Sequence, residues 1–280
     1  MHCFIFTPLC YNTLMKTYVI TGGTSGIGEA LVNYFAKDNL VFCGYRNADK
    51  LTNKSENIIP FYIDYAKPET ISGAIDFIKS KTDKIDSLIN VAGCVVAGAL
   101  ENIPISELKR QFNVNVFGAV ELSQGLVTLL ENGKIINISS MASYGIFPFI
   151  SPYCASKRAL DILFNSFMME NKRGIKVVSV KPGVIATPLW SKSIQENSQT
   201  IENSKDYQNE SNYLKQNALE NEKTGLSVDK VVKLVSKIDR LKNPKPSYCV
   251  GMDAVLVSLV SKLPQAILNK IIHQKVKRLR

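Results

Sequence analysis

A tyrosine and a lysine four residues apart, Tyr153 and Lys157, have the types and spacing needed for acid–base chemistry. Their surroundings show the apolar spacing of a helix, so the two side chains share one helix face. A free tyrosine has a pKa near 10, and a neighbouring cation lowers it toward the working pH by stabilising the phenolate. Alone, the pair would be better interpreted as an exposed polar pair, because so short a motif arises readily by chance.

A glycine-rich stretch, Thr21 to Gly28, follows an apolar run and precedes residues with helical spacing. Glycines permit unusual φ values and let backbone N–H groups at a helix N-terminus approach a pyrophosphate. The spacing G-x-x-x-G-x-G differs from the commoner dinucleotide pattern, and a plain strand-to-helix turn is the alternative. The stretch therefore predicts a phosphate cradle only if other motifs accompany it.

Strands and helices are predicted to alternate along most of the chain. Apolar runs predict strands at 17–20, 40–44, 58–63, 88–92, 134–138 and 175–180, and helical spacing recurs at 29–36, 68–79, 106–130, 153–170 and 228–241. A last strand is predicted at 248–250. Continuous apolar strands are typical of a sheet covered on both faces, so we expect an α/β, doubly wound parallel sheet of Rossmann type in a single domain.

Three regions flank or interrupt this pattern. Residues 1–14 are expected to be a disordered or artefactual extension, with Met15 the natural start, and residues 15–253 the catalytic domain. Within that domain, the polar segment 188–226 is either disordered or a substrate lid. Residues 254–280 are expected to form a basic amphipathic helical tail, with a final helix opening at Leu263 and an apolar stripe opposite its lysines.

The order of motifs over residues 15–253 resembles the short-chain dehydrogenase/reductase family. The matching pieces are TGxxxGIG at 21–28, Asp64, NVAG at 90–93, Asn115, Ser139-Ser140, Tyr153-x-x-x-Lys157 and Pro182-Gly183. The resemblance implies an oxidoreductase that transfers hydride between a nicotinamide cofactor and a carbonyl or alcohol. Val91 is a mild departure from the family pattern.

The resemblance also implies catalytic roles. Tyr153 would exchange a proton with the substrate oxygen, and Lys157 would bind the nicotinamide ribose and lower the tyrosine pKa. Ser140, just past the fifth predicted strand, would hydrogen-bond the substrate oxygen, with Ser139 as its bland neighbour. Asn115 would hold a water that relays protons; asparagine is a poor helix former in mid-helix, and Asn113 is the competing candidate.

Cofactor contacts follow from the same resemblance. Asp64 would accept the adenine amino group, although a cap is an equally good interpretation, and Thr187 would hold the carboxamide. No carboxylate ends the second strand, which favours NADP, with Arg46 on its 2′-phosphate, over NAD. The expected cofactor-binding set is Thr21, Gly22, Thr24, Ser25, Gly26, Ile27, Gly28, Tyr45, Arg46, Asp64, Tyr65, Asn90, Ala92, Gly93, Tyr153, Lys157, Pro182, Gly183, Ile185 and Thr187.

Composition bounds the other classes of function. The net charge is +10, but six cations follow Asp253 with no acidic residue among them, and no nucleic-acid motif accompanies them. That tail fits anionic lipid, or it closes the pocket or a dimer interface. Six scattered cysteines without C-x-x-C predict neither metal site nor disulfide scaffold, and so a cytoplasmic protein, in which membrane association through the tail is an open alternative.

The substrate is expected to be a small apolar, lipid-like ketone, aldehyde or alcohol. The apolar residues that flank the predicted catalytic groups and would form the pocket wall are Pro148, Phe149, Ile150, Leu189 and Trp190. Family members are often homo-oligomers. Two alternatives to an enzyme are a non-catalytic NADP sensor or scaffold, and a basic membrane-surface or nucleic-acid-binding module; the intact set of four catalytic residues favours the enzyme.

Overall fold

Seven parallel strands form one sheet in the order β3-β2-β1-β4-β5-β6-β7. The computed structural model describes residues 15–203 and 205–279, so the expectation for residues 1–14 lies outside the described residues. The architecture confirms the predicted doubly wound parallel sheet. The strands are β1 Thr17–Ile20, β2 Leu40–Tyr45, β3 Ile58–Tyr62, β4 Ser87–Asn90, β5 Lys134–Ile138, β6 Lys176–Pro182 and β7 Ser247–Val250.

Helices cover both faces of this sheet. Side chains alternate between two apolar clusters: Val19 of β1 joins one, while Tyr18 and Ile20 join the other. This explains why the strands are continuously apolar in sequence. The α-helices are α1 Gly26–Phe35, α2 Glu69–Lys79, α3 Ile105–Phe112, α4 Gly118–Leu126, α5 Ser151–Glu170, α6 Leu189–Glu196, α7 Ser198–Asn203, α8 Gln208–Thr224, α9 Val228–Arg240, α10 Met252–Val260 and α11 Gln265–Lys277.

The strand order creates a crevice at the carboxyl edge of the sheet. The chain runs outward from β1 through β2 to β3, then returns to place β4 on the other side of β1. Ligands of open α/β sheets bind where the order reverses in this way, outside the carboxyl ends of the strands. The loops after β1, β4, β5 and β6 all begin at this edge.

The single helix predicted over residues 106–130 is wrong in detail. The structure has α3, then a π-helical turn over Asn113–Phe117, then α4, which ends at Leu126. The early end is needed because the chain must turn into β5, and it does so through Asn132, whose φ is +57°. Asparagine tolerates this left-handed conformation better than most residues.

The polar segment 188–226 is helical, forming α6, α7, α8 and a 3-10 turn at Lys205–Tyr207. Its polar side chains are used inward as well as outward. Asn197 is buried, donates from Nδ2 to the Val95 carbonyl at 2.8 Å, and accepts at Oδ1 from the Ala97 N–H at 3.0 Å. A polar composition therefore reflects hydrogen bonds to the loop after β4.

The C-terminal tail forms two helices, α10 and α11, where one was expected. The predicted apolar stripe of α11 is divided: Leu268 and Ile272 are half-buried, whereas Ile267 and Ile271 are exposed. No residue of α11 is fully buried. Helix α10 is attached to the rest of the molecule through its first turn, where Asp253 accepts from the Val184 N–H at 2.7 Å.

Candidate active site

A cleft of about 710 Å³ opens at the carboxyl edge of the sheet. This volume is within the usual range for a small-molecule site. Most of the residues expected from the sequence line it together: Gly22, Thr24, Ser25, Gly26, Ile27, Tyr45, Arg46, Asp64, Tyr65, Ala92, Gly93, Ser140, Tyr153, Lys157, Pro182, Gly183, Ile185 and Thr187. Four expected residues, Thr21, Gly28, Asn90 and Asn115, do not line it.

The glycine turn between β1 and α1 is shaped to approach a ligand closely. Gly22 and Gly26 have φ values of +63° and +53°, which favour glycine. A Cβ on Gly28 would lie 2.1 Å from the Gly22 carbonyl oxygen, so only glycine allows the turn to close against α1. Ser25, the residue before α1, makes no side-chain hydrogen bond to the helix, which leaves the first N–H groups for an anion.

Thr21 and Asn90 hold neighbouring strand ends together. The Thr21 hydroxyl accepts from the N–H groups of Val91 and Ala92, at 3.0 and 3.2 Å. The Asn90 amide donates to Asn137 Oδ1 at 2.8 Å, which ties β4 to β5. Both side chains are buried and therefore shape the cleft from behind its wall.

Tyr153 projects into the cleft from the first turn of α5. Ser140, which follows β5, hydrogen-bonds the phenol, and its Oγ also accepts from the Ala142 N–H at 3.1 Å. Desolvation raises the pKa of Tyr153 to about 12, although the Ser140 hydrogen bond opposes this rise. The expectation of a lowered tyrosine pKa is therefore wrong for the protein without bound cofactor. At neutral pH the Tyr153 side chain is a protonated phenol that can donate its proton.

Lys157 lies one turn further along α5, with only 4% of its surface exposed. Its ammonium donates to the Ile138 carbonyl at 2.9 Å and lies 5.9 Å from the centre of the Tyr153 ring. Burial lowers the pKa of Lys157 to about 8, while the Asp161 carboxylate partly opposes the shift. The ammonium is thus a cation in the cleft that loses its charge as the pH rises through about 8.

Asn115 lies in the π-helical turn and joins three elements. Its Nδ2 donates to the Cys94 carbonyl and to Ser156 Oγ, both at 3.0 Å, and its Oδ1 accepts from the Cys94 N–H at 2.8 Å. Both amide donors are therefore engaged by protein groups. Such π-helical turns occur frequently at functional sites, and this one sets the distance between the end of β4 and α5 beside Lys157.

Three cations gather where β2 ends. Arg46, expected from the sequence, is joined in the cleft wall by Lys50 and by Lys192 of α6. The pKa of Lys192 is lowered, first by burial and then by repulsion from Arg46 and Lys50. Sequence reasoning missed both lysines. Lys192 lies 146 positions from Arg46 in the chain, and Lys50 lies in the short turn that follows β2. Nothing in their local sequence marks them.

The carboxylate of Asp64, at the end of β3, also faces this part of the cleft. Its Oδ1 accepts from the Ala66 N–H at 3.0 Å, which is the local turn that the sequence left open as an alternative. The residue therefore caps a turn and lines the cleft at the same time.

The loop after β6 reaches the glycine turn from the opposite side. A Cβ on Gly26 would lie 3.3 Å from Thr187 Cβ, so the two loops are nearly in contact. The loop is fixed by Asp253, whose carboxylate accepts from the Val184 N–H and the Ala254 N–H, at 2.7 and 2.9 Å. The C-terminal region thereby supports one wall of the cleft.

The apolar wall differs in part from the expected one. Ile150, Leu189 and Trp190 line the cleft as expected, together with Met141 and Phe147, whereas Pro148 and Phe149 do not. Phe149 has a φ of +66° and points toward Tyr207, with their ring centres 5.9 Å apart. The backbone reversal at Phe149 brings Phe147 to the cleft in its place.

Residues 15–203 and 205–279 contain no group of three or more histidine, cysteine or acidic side chains arranged to hold a metal ion. Over the same ranges, no helix has both the length and the apolar character needed to cross a membrane.

Comparison with known proteins places this arrangement in a family. A family model described as short chain dehydrogenase matches residues 16–198, more than half of the chain. The NADPH-dependent 3-dehydrocapnine reductase of Ornithobacterium rhinotracheale is 31% identical over 284 aligned positions, which cover 95% of this chain and 99% of that protein.

Solved structures share the fold. A short chain dehydrogenase from Burkholderia cenocepacia in complex with NADP has a TM-score of 0.72 at 20% identity, covering 92% of this chain and 97% of that one. An enzyme of this type from Burkholderia phymatum in complex with NAD also has a TM-score of 0.72, at 19% identity, covering 83% and 88%. The parallel sheet, the glycine turn and the family match agree: this chain is an oxidoreductase and belongs to the short-chain dehydrogenase/reductase family.

Proposed function

We propose that this protein reduces an apolar, lipid-like ketone to a secondary alcohol, with NADPH as the reductant and Tyr153 as the proton donor. The observation that carries the proposal is the geometry of one cleft, which is lined by Ser140, Tyr153 and Lys157 together, with the Lys157 ammonium 5.9 Å from the centre of the Tyr153 ring. The related reductase of Ornithobacterium rhinotracheale supports the direction of the reaction and the choice of NADPH. Its substrate, 3-dehydrocapnine, is the first compound to test.

Tyr153 is suited to donate a proton in the direction of reduction. With a pKa of about 12 it stays a phenol across the physiological range. A ketone oxygen that gains negative charge on reduction becomes a strong base, and a positioned phenol can protonate it. The Ser140 hydroxyl is placed to hydrogen-bond the same oxygen and to stabilise its developing charge.

Lys157 supplies positive charge beside the phenol. Burial lowers the pKa of this lysine to about 8, and attraction to Asp161 opposes the shift, while the ammonium donates to the Ile138 carbonyl. A cation at this place favours the phenolate that remains after proton donation. The lysine therefore limits the cost of the step that Tyr153 performs.

The cleft fits NADPH on the features of the chain itself. The left-handed glycines and the uncapped N-terminus of α1 provide a pyrophosphate cradle that a Cβ would fill, and Thr187 approaches the same turn. When bound, NADPH supplies the hydride. The residues that would hold it are the cleft-lining members of the expected set, while Thr21, Gly28 and Asn90 support the wall from behind.

The preference for NADPH over NADH rests on Arg46, Lys50 and Lys192. Three cations lie together at the end of β2, and the pKa of Lys192 is lowered first by burial and then by repulsion from Arg46 and Lys50. A 2′-phosphate would relieve that repulsion and would accept hydrogen bonds from the guanidinium. No carboxylate replaces Arg46 at the end of β2, where one would bind the ribose hydroxyls of NADH.

The region of α6 to α8 is proposed as the substrate lid. It contributes Leu189, Trp190 and Lys192 to the cleft, so it contacts both the expected substrate and the expected cofactor regions. The only tryptophan of the chain lies here and donates to the Ile185 carbonyl at 2.8 Å. We place the boundaries of this lid at 188–226, between the catalytic core and the C-terminal tail beyond 253.

We further propose a homo-oligomer built on α4 and α5. Large apolar side chains are exposed on and beside these helices, among them Phe117, Ile162, Leu163 and Met169. Exposed apolar sets of this kind mark interaction sites.

A cytoplasmic location is supported by the free thiols of Cys43, Cys94, Cys154 and Cys249, because free cysteines are typical of reducing compartments.

The proposal is tested by following NADPH oxidation with 3-dehydrocapnine and with ketones of increasing chain length, beside NADH and a small polar ketone. We expect turnover with NADPH, a kcat/KM that rises with chain length, and a fall of about tenfold or more for Ser140→Ala. Equal rates with the small polar ketone would refute the apolar substrate. Tight NADPH binding with no turnover of any carbonyl would favour the non-catalytic sensor or scaffold instead.

A further inference from the structure

The C-terminal helices present an apolar surface to solvent. Along α10 and the following turn, large apolar residues recur at intervals of three and four, which places them on one face of a helix. In a water-facing helix of a globular protein such a stripe normally faces the core, but here it faces outward. We call this set the C-terminal apolar face: Met252, Val255, Leu256, Leu259, Val260, Leu263, Ile267 and Ile271.

The exposure of this face is large. Met252 is 81% exposed, and Leu256 and Leu259 are 59% and 57% exposed. Scattered apolar residues on a surface need no explanation, but eight at helical spacing on two consecutive helices are more than scatter, and exposed apolar sets of this kind mark interaction sites. The face therefore requires an occupant.

Exposed cations surround the face. Lys262 lies in the turn between the two helices, and Lys270 lies three residues after Ile267. Lys275 and Arg278 follow Ile271 by four and seven residues, so they lie on the same side of α11 as Ile271. No acidic residue follows Asp253, so no charge within the tail neutralises them.

The cleft does not use this face. Within the described ranges, the residues that line the cleft end at Lys192 in the chain, so neither α10 nor α11 closes the site. The inner side of α10 serves as its anchor: Asp253 binds the Val184 N–H, and Val257 lies beside Gly145. The tail is thus fixed to the domain while its apolar face points away from it.

We propose that the C-terminal apolar face docks on a membrane surface that contains anionic lipids. The apolar side chains would enter the boundary between headgroups and acyl chains, and the surrounding cations would contact the headgroups, as in interfacial helices. Charge decides between this occupant and a second copy of the chain. A two-fold interface would place this positively charged patch of one copy against the same patch of the other, so the cations would repel one another. An anionic surface would attract all of them.

This inference goes beyond the proposed function and does not depend on it. Docking would bring the domain beside the phase in which an apolar substrate dissolves, because Asp253 links the tail directly to the loop after β6. The test below measures binding rather than turnover, so its failure is distinct from a failure of the proposed reaction.

The experiment is co-sedimentation of the full chain with phosphatidylcholine vesicles and with phosphatidylcholine vesicles that contain phosphatidylglycerol. We expect binding to the mixed vesicles to be at least about tenfold tighter, and to weaken between roughly 0.1 M and 1 M salt as the Debye length falls from about 10 Å to 3 Å. Equal binding to both vesicles, or none to either, would overturn the proposal.

Two sets of variants locate the contact. Lys262→Glu/Lys270→Glu/Lys275→Glu should weaken binding by at least about tenfold. The matched control, Lys230→Glu/Lys233→Glu/Lys237→Glu, makes the same change of charge on the exposed side of α9 and should bind as the wild type does. Equal losses from both sets would mean that net charge alone drives binding and would refute a specific face.

The apolar contribution is tested by Leu256→Ser/Leu259→Ser/Ile267→Ser, beside Phe77→Ser/Ile105→Ser as exposed apolar controls outside the tail, the lid and the proposed oligomer interface. The tail variant should lose vesicle binding while keeping NADPH affinity and its circular dichroism spectrum. Sedimentation velocity supplies the competing outcome. If the wild type does not bind vesicles, and the tail variant is monomeric while the wild type and the control are oligomeric, a second copy of the chain occupies the face and the membrane proposal is wrong.

Discussion

Replacing Lys192 with glutamine tests the proposal that this oxidoreductase prefers NADPH to NADH. The Lys192 ammonium lines the cleft with Arg46 and Lys50, and repulsion from both contributes to its lowered pKa. A dianionic 2′-phosphate bound among the three cations would be attracted by each of them. NADH has no phosphate at this position, so the substitution should affect the two cofactors unequally.

The size of the effect follows from the exposure of the side chain. A hydrogen bond to a charged group contributes about 1.5–3 kcal/mol when it is well buried. The Lys192 side chain is 46% exposed, and its partner Glu196 lies 3.7 Å away, so screening and competition reduce the contribution to about 1 kcal/mol. Because about 1.4 kcal/mol corresponds to tenfold, Lys192→Gln should raise the Kd for NADPH about fivefold.

The assay can use the protein's own fluorescence, because Trp190 is the only tryptophan and lines the cleft. Titration with NADPH and NADH gives both dissociation constants for each variant. The control is Lys223→Gln, an exposed lysine near the end of α8 that does not line the cleft. Equal weakening of both cofactors by Lys192→Gln, or no change for NADPH, would refute the phosphate assignment.

Three further predictions follow from the geometry. Reduction needs a cationic Lys157, whose pKa is about 8, so kcat/KM should be constant below that pH and fall above it. A pH–rate profile that stays flat up to about pH 10 would contradict this. Gly28→Ala should weaken NADPH binding more than about tenfold, because the new Cβ meets backbone at 2.1 Å, whereas the control Gly73→Ala, with open space around it, should not. Lys181→Met leaves the buried Asp161 carboxylate without its partner at 2.8 Å and should lower the free energy of unfolding by about 3–5 kcal/mol; recovery should follow from adding Asp161→Asn, and urea titration decides both.

The sheet could be predicted from the sequence because parallel strands covered on both faces are continuously apolar. The strands at 17–20 and 134–138 have the predicted bounds, and each of the other strands lies within about two residues of its predicted bounds at either end. The helices of 188–226 could not be predicted, since their polar residues, such as Asn197, bind a loop a hundred positions away. The composition of the segment itself does not indicate these distant hydrogen-bond partners.

The cleft shows the same division between local and distant information. The glycine turn and the pair Tyr153 and Lys157 have spacings that report their chemistry, and the structure brings them to one cleft. Lys192 joins that cleft only through the packing of α6. The π-helical turn at Asn115 was signalled by an asparagine in mid-helix, but its form depends on Cys94, which follows another strand.

The raised tyrosine pKa shows where physical reasoning from spacing failed. Two residues four apart on a helix predict a cation beside the phenol, and hence a lowered pKa. In the structure the ammonium lies 5.9 Å from the ring centre and is engaged by the Ile138 carbonyl, so desolvation outweighs its influence. Burial is a property of the whole fold, and helical spacing alone does not report it.

The most direct test of the account is the activity of Tyr153→Phe, measured as NADPH oxidation with the best ketone found for the wild type. Removing the phenolic proton should lower kcat by about 10²–10⁴-fold. The Kd for NADPH, followed through Trp190, should rise by no more than about tenfold, since the substitution removes at most one hydrogen bond to the cofactor and leaves the glycine turn and the three cations untouched. A Tyr153→Phe variant that turns over at the wild-type rate with NADPH bound would contradict the assignment of Tyr153 as the proton donor.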